Sequence, residues 1–200
     1  MTKTILITGA TDGIGFETAK LLASQGHKLL LHGRNPEKLE TIAKTLASLA
    51  PDTAMETYLA DFSVLNEVKA LAEALASKHD HLDVLINNAG ILKTRDTVTK
   101  DGIDIRFVVN TIAPYLLTTQ LLPLLGKDAR VVNLSSAAQS PVDLKALAGH
   151  GQLSDMEAYS QSKLALTMWS RQLALSHPES PMIVAVNPAS LLGSKMVKEG

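Results

Sequence analysis

The stretch that decides the fold of this chain is Thr8-Gly9-Ala10-Thr11-Asp12-Gly13-Ile14-Gly15. An apolar run at residues 4–7 precedes it and predicts a buried parallel strand, and residues 16–23 predict a helix after it. The glycines permit a tight turn, a close approach of the backbone to a ligand and close packing of the helix on the strand. The free N–H groups and the positive dipole at the start of such a helix favour a bound phosphate. The stretch therefore predicts a dinucleotide site.

The composition is typical of one α/β domain, which we place at residues 1–200. Hydrophobic residues make up 46% and aromatic residues only 4%, so we expect a core of Leu, Ile, Val and Ala. A formal net charge of -1 and a pI near 6.6 argue against nucleic-acid and anionic-membrane partners. The absence of Cys excludes disulfides, thiolate metal sites and thiol catalysis. The first predicted strand begins almost at Met1 and no apolar run has membrane-spanning length, so we expect a cytoplasmic protein with no membrane partner.

The next charged residue of interest is Arg34, which ends the second predicted strand at residues 27–34. Pro36 then predicts the first turn of a helix. In dinucleotide folds, an acid at the end of this strand binds the adenosine ribose, whereas an Arg accommodates a 2′-phosphate. Arg34 therefore favours NADP(H) over NAD(H). The alternative interpretation is that Arg34 is a solvated surface residue. The negative charge of Asp12 would also oppose binding of the 2′-phosphate if Asp12 lies near it.

Polar and small residues follow the third and fourth predicted strands. The third strand, at residues 55–62, contains Asp61 near its end, where a ligand contact and a helix N-cap are both open interpretations. The fourth strand, at residues 82–86, is followed by Asn87-Asn88-Ala89-Gly90. The small residues of this tetrapeptide leave space for a ligand, and the amides can join neighbouring strands to the loop.

The second half of the chain contains the residues with acid-base chemistry. A long apolar helix is predicted at residues 101–125, with Asn110 inside it and a kink at Pro114. The fifth predicted strand, at residues 130–136, delivers Ser135 and Ser136 to the edge of the sheet where ligands bind in open α/β folds. A later helix contains Tyr159-x-x-x-Lys163, whose spacing sets both side chains on one helical face.

In this order, these motifs resemble those of the short-chain dehydrogenase/reductase family, and the resemblance covers the whole chain. The segment at residues 139–155 is longer than the common family spacing and is similar to the branch of retinol dehydrogenases and protochlorophyllide reductases. The resemblance implies a three-layer Rossmann fold, with a doubly wound parallel sheet of order 3-2-1-4-5-6 and helices on both faces. Family members usually continue past this point through a substrate loop, a helix and a seventh strand, which we expect to be absent.

The resemblance also implies a role for individual residues. It gives catalytic roles to Asn110, Ser136 (with Ser135 as its substitute), Tyr159 and Lys163. It gives cofactor contacts to Gly9, Thr11, Asp12, Gly13, Ile14, Gly15, Arg34, Asp61, Phe62, Asn88, Ala89, Gly90, Tyr159, Lys163 and Pro188. The sixth predicted strand is at residues 182–188. The family usually has Pro-Gly at the end of this strand and a nearby Thr. This chain has Pro188-Ala189-Ser190 there, with Ser194 as the substitute for the Thr, so the nicotinamide pocket departs from the pattern.

The chemistry implied by the resemblance is a proton transfer coupled to hydride transfer. A phenol with an ordinary pKa of about 10 is a poor acid or base at neutral pH. The Lys163 ammonium and an oxidised nicotinamide would favour the phenolate, so that Tyr159 exchanges a proton with a substrate oxygen held by Ser136. Asn110 would link Lys163 to solvent through water. We therefore expect an NADP(H)-dependent enzyme that interconverts a small-molecule carbonyl and alcohol.

Two other functions and one assembly stay open. A non-catalytic dinucleotide-binding sensor or scaffold is the rival function, and a sugar-nucleotide epimerase is a third. Apolar helices near residues 101 and 156 resemble those that the family uses in dimers and tetramers, so we expect a homodimer or homotetramer. The scattered His residues have no metal-ligand spacing, so no metal site is predicted.

Overall fold

The computed structural model describes residues 1–177, 179 and 181–188, and these form a parallel sheet with helices on both faces. The order of its six strands is β3-β2-β1-β4-β5-β6, as the sequence predicts. The strands are β1 (Thr4–Ile7), β2 (Lys28–Gly33), β3 (Met55–Leu59), β4 (Val84–Asn87), β5 (Arg130–Leu134) and β6 (Met182–Val186). The chain moves outward from β1 in both directions, and the point of reversal lies between β1 and β4. Open α/β sheets bind ligands in a cleft at the carboxyl ends of the strands at such a point.

The helices connect successive strands and lie antiparallel to them, as crossovers between parallel strands require. They are α1 (Gly13–Ser24), α2 (Pro36–Leu49), α3 (Leu65–Lys78), α4 (Ile105–Phe107), α5 (Ala113–Leu121), α6 (Leu144–Leu147) and α7 (Asp155–Ser176). A π-helix, Val108–Ile112, joins α4 to α5, and a short 3₁₀-helix, Leu122–Leu124, follows α5. Pro36 is the first residue of α2, with the Asn35 side chain accepting a hydrogen bond from the Lys38 N–H, as expected for a capped helix start.

Two apolar clusters fill the spaces above and below the sheet. Alternate strand residues point to opposite faces, so Leu6 and Leu30 join the cluster with α3, α5 and α7, whereas Ile5 and Leu29 join the cluster with α1 and α2. All four residues of β1 are buried, because helices cover the sheet on both sides. These clusters make the carboxyl edge of the sheet a rigid platform for its loops.

The predicted helix at residues 101–125 is wrong at its start and in its regularity. The helix begins at Ile105, because the Asp104 carboxylate caps the backbone N–H of Arg106 and the preceding residues form a turn closed by a bridge between Val98 and Asp104. The irregularity lies in the π-helix just before Pro114. Ile105–Leu124 is the one stretch of the described residues with the length and hydropathy of a membrane span. Its side chains Phe107, Leu117 and Leu121 are fully buried, as in a core helix of a globular domain.

Several predicted strands are too long at their carboxyl ends. β3 ends at Leu59, β5 at Leu134 and β6 at Val186, because the ladder hydrogen bonds between neighbouring strands end there. Asp61, Ser136 and Pro188 therefore lie in the loops beyond the sheet rather than in the strands. A loop position leaves their side chains free to turn toward the cleft. Ala189, Ser190 and the predicted substitute Ser194 lie outside the described residues.

Candidate active site

The glycine-rich turn connects β1 to α1 in a shape that only small residues permit. Gly9 and Gly13 have φ values of 64° and 51°, in the left-handed region. A Cβ on Gly15 would lie 2.2 Å from the Gly9 carbonyl oxygen, so the start of α1 packs directly on the turn. The Asp12 side chain accepts a hydrogen bond from the Gly13 N–H at 2.7 Å and caps α1. The predicted contact of Asp12 with the cofactor stays a prediction.

Asn88 and Thr8 fix this turn to the loop after β4. The Asn88 side-chain amide donates to the carbonyl oxygens of Thr8 at 2.9 Å and Gly9 at 3.0 Å. In return, the Thr8 hydroxyl oxygen accepts hydrogen bonds from the backbone N–H groups of Asn88 and Ala89, both at 3.0 Å. Asn87 is the last residue of β4, and its side-chain amide donates a hydrogen bond to the Asn133 side-chain oxygen on the neighbouring strand β5 at 2.7 Å. The amides thus join neighbouring strands to the loop, as the sequence predicts.

Arg34 and Asp61 border the same turn on the side of β2 and β3. Arg34 is exposed and immediately follows β2, whose last residue, Gly33, is so close to the turn that a Cβ there would lie 2.6 Å from the Thr11 methyl group. The Asp61 carboxylate accepts hydrogen bonds from the Ser63 N–H at 2.9 Å and hydroxyl at 2.8 Å. The N-cap of α3 is Val64, so the alternative in which Asp61 caps that helix is wrong.

These residues fit a dinucleotide by their shape and polarity. Cβ atoms on Gly9 and Gly15 would meet the neighbouring backbone and the Asn88 amide, so these glycines bring the turn close under the start of α1, where a nucleotide cradle forms in this type of fold, and the exposed Arg34 follows β2 beside the turn. Thr11, Gly13 and Ile14 are half-buried along this cradle, Gly15 is buried beneath it, and Phe62 is buried beside it. The predicted cofactor contacts that lie in loops therefore all follow the carboxyl end of a strand. Phe62 is the one among them whose ring is buried in the core.

Tyr159 and Lys163 lie one turn apart on α7, with the Lys163 Nζ 5.7 Å from the centroid of the Tyr159 ring. Tyr159 is half-buried, whereas Lys163 is only 4% exposed. The Lys163 ammonium donates to the carbonyl oxygen of Leu134, the last residue of β5, at 2.8 Å. Burial lowers the pKa of Lys163 to about 8, because the low-polarity surroundings disfavour the charged form. The pair therefore combines a phenol with a nearby cation whose stem is held rigidly.

Asn110 lies in the π-helix and holds the loop after Gly90 against α7. Its side-chain oxygen accepts from the Ile91 N–H at 2.8 Å, and its amide donates to the Ile91 carbonyl at 2.9 Å and the Ser162 hydroxyl at 3.0 Å. Asn110 thus satisfies backbone and hydroxyl groups of neighbouring segments, and its predicted link to Lys163 through water stays a prediction. A π-helix inside an α-helix is frequent at functional sites.

Gly90 is the point at which these side chains meet. A Cβ at Gly90 would lie 3.3 Å from the Asn110 side-chain oxygen and 3.4 Å from the Lys163 Nζ. Both polar atoms therefore face the small residue that ends the loop after β4. The sequence motifs at residues 87–90, 110 and 159–163 converge on one place at the carboxyl edge of the sheet.

The two neighbouring serines differ in their hydrogen bonds. Ser135 is buried, and its hydroxyl bonds to the Lys163 carbonyl at 3.2 Å and to the Thr167 hydroxyl at 2.7 Å. Ser136 is half-buried, and among the described residues its hydroxyl oxygen accepts one hydrogen bond, from the Ala138 N–H at 3.1 Å. The Ser136 O–H is therefore able to donate outward, whereas Ser135 ties β5 to α7. This difference favours Ser136 over its substitute.

Sequence reasoning missed Arg106, which ties the start of α4 to the start of α7. Its guanidinium is 1% exposed and donates to both carboxylate oxygens of Asp104, at 2.8 Å and 2.6 Å, and to the Asp155 carboxylate. Asp155 is the first residue of α7 and lies one turn before Tyr159. The only sequence signal was a charged residue inside an apolar helical pattern. The bidentate pair with Asp104 orients the Arg106 guanidinium, and its bond to Asp155 fixes the start of the helix that carries Tyr159.

The comparisons with known proteins agree with this architecture. A family model described as short chain dehydrogenase matches residues 3–199. The chain belongs to the short-chain dehydrogenase family. Human retinol dehydrogenase 13 is 33% identical over an alignment of 184 residues that covers 86% of this chain and 54% of that protein, in keeping with the predicted branch. The chain thus spans about half the length of the curated relatives it matches.

Solved structures of the family share the fold over nearly the whole chain. A metagenomic short-chain oxidoreductase in complex with NADP has a TM-score of 0.74 and 27% identity, over 94% of this chain and 83% of that one. A short-chain dehydrogenase from Sphingobium yanoikuyae in complex with NADPH has a TM-score of 0.75 and 28% identity, over 94% of this chain and 71% of that one. Both neighbours were solved with the phosphorylated nicotinamide dinucleotide.

Proposed function

We propose that this chain binds NADP(H) in preference to NAD(H) and interconverts a small-molecule carbonyl and alcohol, with Tyr159 as the acid and base. The observation that carries the proposal is that Lys163 and Asn110 meet at Gly90, with the Tyr159 ring centroid 5.7 Å from the Lys163 Nζ, at the carboxyl edge of the sheet. The dehydrogenases among the relatives and the NADP-bound neighbours support the same class of reaction. The chain is assigned as a single NAD(P)-binding domain over residues 1–200.

The glycine-rich turn and the start of α1 would hold the pyrophosphate through backbone N–H groups. Arg34 at the end of β2 would pair with a 2′-phosphate, because its exposed guanidinium stands beside the turn and can bind a phosphate through two parallel hydrogen bonds. Asp61, Phe62 and Pro188 would border the two ends of the cofactor. The preference for NADP(H) rests mainly on Arg34.

In the reductive direction, the Tyr159 O–H donates its proton to the substrate oxygen as negative charge develops there. The nicotinamide supplies the hydride when bound. Ser136 donates a hydrogen bond to the same oxygen and fixes its position. The Lys163 ammonium stabilises the phenolate that remains on Tyr159, since a cation nearby favours the charged form of a phenol. In the oxidative direction, the Tyr159 phenolate takes the proton of the alcohol.

The experiment follows NADPH oxidation with a panel of aldehydes and ketones, using the wild type, Tyr159→Phe and Tyr115→Phe. Tyr115 is an exposed tyrosine on α5 that contacts Trp169, so it controls for the loss of a phenol elsewhere. We expect Tyr159→Phe to lose at least 100-fold in rate, the order that general acid catalysis contributes, while it retains NADPH binding. Tyr115→Phe should keep the wild-type rate. Binding of NADPH by the wild type without turnover on any carbonyl would instead support the non-catalytic sensor.

The assembly is proposed from exposed apolar side chains on two helices. Tyr115, Met168 and Leu175 are exposed apolar residues on α5 and α7, and they support a homodimer or homotetramer formed through these helices. Light scattering at micromolar concentration tests the assembly, and a monodisperse monomer would contradict it. The cytoplasmic location and the lack of a membrane partner stay predictions.

A further inference from the structure

His32 is a polar residue in an otherwise apolar strand, and no role in the proposed reaction has been given to it. It lies in β2, two residues before Arg34, and is 3% exposed. Its backbone carbonyl accepts a hydrogen bond from the Ala10 N–H at 2.9 Å. Its ring lies under the glycine-rich turn, between β1 and the end of β3. A buried imidazole in this position requires partners for both nitrogens.

Both ring nitrogens have a partner, and the two partners fix where the proton lies. The Gly9 N–H donates to Nδ1 at 3.3 Å, and Nε2 lies 3.0 Å from the Ala60 carbonyl oxygen. A backbone N–H can only donate and a carbonyl can only accept, so the proton sits on Nε2 and the ring is neutral. Burial agrees with this state, since it lowers the pKa of His32 to about 4 despite the opposing charge of Asp61.

The ring also stacks on Phe62 in the loop after β3, with 4.3 Å between the ring centroids and 23° between the planes. One side chain therefore contacts the turn after β1 through Gly9, and the loop after β3 through Ala60 and Phe62. Arg34 leaves the end of β2 between these two segments. All of them carry residues that would border the adenosine half of a dinucleotide.

We propose that His32 is a positioning residue of the nucleotide site, which holds the glycine-rich turn and the loop after β3 at a fixed separation. The inference rests on the proposed binding of NADP(H). His32 does not contact the cofactor; it acts through the Gly9 backbone and through the loop that carries Asp61. Without the bond from Gly9, the turn can relax away from the position in which its N–H groups face the phosphates.

The test compares His32→Leu, which loses both hydrogen bonds, with His32→Asn, whose side-chain oxygen can accept from Gly9 in place of Nδ1. NADPH affinity is measured by fluorescence titration and stability by thermal melting. We expect His32→Leu to weaken NADPH binding about 10-fold or more, as for the loss of one buried hydrogen bond. We expect His32→Asn to recover most of that affinity, although it also loses the bond to Ala60.

His79→Leu is the matched control for a loss of stability alone. The His79 side chain is 6% exposed and bonds to the Tyr58 hydroxyl at 2.8 Å, at the far end of α3 from the nucleotide site. It should lower the melting temperature without changing the dissociation constant of NADPH. If His32→Leu weakens NADPH binding no more than His79→Leu does, the positioning role is overturned and His32 only fills the core.

A ligand-free measurement covers the case in which His32→Leu fails to fold. The ¹⁵N shifts of the wild-type His32 ring should show the neutral form with the proton on Nε2 between pH 6 and 8. A proton on Nδ1 would overturn the inference, because the Gly9 N–H would then have no acceptor. A wild type that shows the Nε2 form and does not bind NADPH overturns the proposed function and, with it, the positioning role. Wild-type binding that His32→Leu leaves unchanged overturns the positioning role alone.

Discussion

Replacing Gly15 by alanine tests whether the glycine-rich turn has the geometry of a nucleotide cradle. The added Cβ would lie 2.2 Å from the Gly9 carbonyl oxygen and 2.4 Å from the Asn88 side-chain nitrogen. Both distances are far below van der Waals contact, so α1 and the turn must separate by about 1 Å. The Gly9 carbonyl belongs to the backbone, and two hydrogen bonds hold the Asn88 side-chain amide on the turn. Neither group can therefore move away without a loss of stability.

The cost follows from those contacts. Overpacking a tight site costs about 1–3 kcal/mol, and weakening a hydrogen bond of Asn88 adds about 1 kcal/mol. We therefore expect Gly15→Ala to lose about 3 kcal/mol of unfolding free energy, which is roughly 6–12 °C in melting temperature for a chain of this size. The shifted turn should also weaken NADPH binding by at least 10-fold, since the phosphate donors move with it.

The assay is thermal melting with and without NADPH, together with a fluorescence titration. Gly126→Ala is the control, because a Cβ at that exposed glycine meets nothing within 4 Å, and it should change the unfolding free energy by less than about 0.5 kcal/mol. Gly15→Ala with a melting temperature within about 2 °C of the wild type, a shift of at most about 1 kcal/mol, and with unchanged NADPH affinity would refute the reasoning.

Three further perturbations test buried charged and titratable groups. The His32 pKa of about 4 lies below the ordinary value of 6.5, so the unfolded chain binds the proton more readily and acid favours unfolding. The contribution of His32 to the unfolding free energy, measured in urea melts, should fall by about 3 kcal/mol from pH 6.5 to 4. His32→Leu should make the unfolding free energy depend less on pH over this range. Lys163→Met removes a buried cation, whose burial lowers its pKa to about 8. The variant should keep or raise the wild-type melting temperature at pH 7 and should lose carbonyl reduction. A lower melting temperature would contradict this expectation. Arg106→Met leaves the half-buried carboxylates of Asp104 and Asp155 without their cation and should lower the unfolding free energy by about 2–4 kcal/mol in the same melts. A loss below about 1 kcal/mol would mean that these two ion pairs do not stabilise the fold.

The strands and the edge of the sheet at which the site lies were predictable because they depend on local patterns. Apolar runs that alternate with helical patterns specify parallel strands, and the glycine-rich turn marks the first strand, from which the order follows by resemblance. The ends of strands were predicted less well. Asp61 and Ser136 lie past β3 and β5 because the partner strands stop, which is a tertiary property that one segment of sequence does not encode.

The hydrogen-bond partners in the site could not be predicted from spacing. The π-helix at Asn110 forms where the amide reaches Ile91 and Ser162, which are distant in sequence. Ser135 and Ser136 were distinguishable only when the contacts of Ser135 with α7 were known. The sequence predicts only that His32 lies in a strand, because its hydrogen bond to Gly9 depends on how β1, β2 and β3 pack. In each case, tertiary contacts decide the role of the side chain.

The most direct test of the account is a titration of this chain with NADPH and NADH, with wild type and Tyr159→Phe in parallel and a panel of carbonyls added afterwards to the same samples. Cofactor fluorescence reports binding first and oxidation second. The account predicts that both proteins bind NADPH more tightly than NADH and that only the wild type then consumes it at an appreciable rate. Binding of neither cofactor by the wild type, or equal NADPH consumption by Tyr159→Phe, would contradict it.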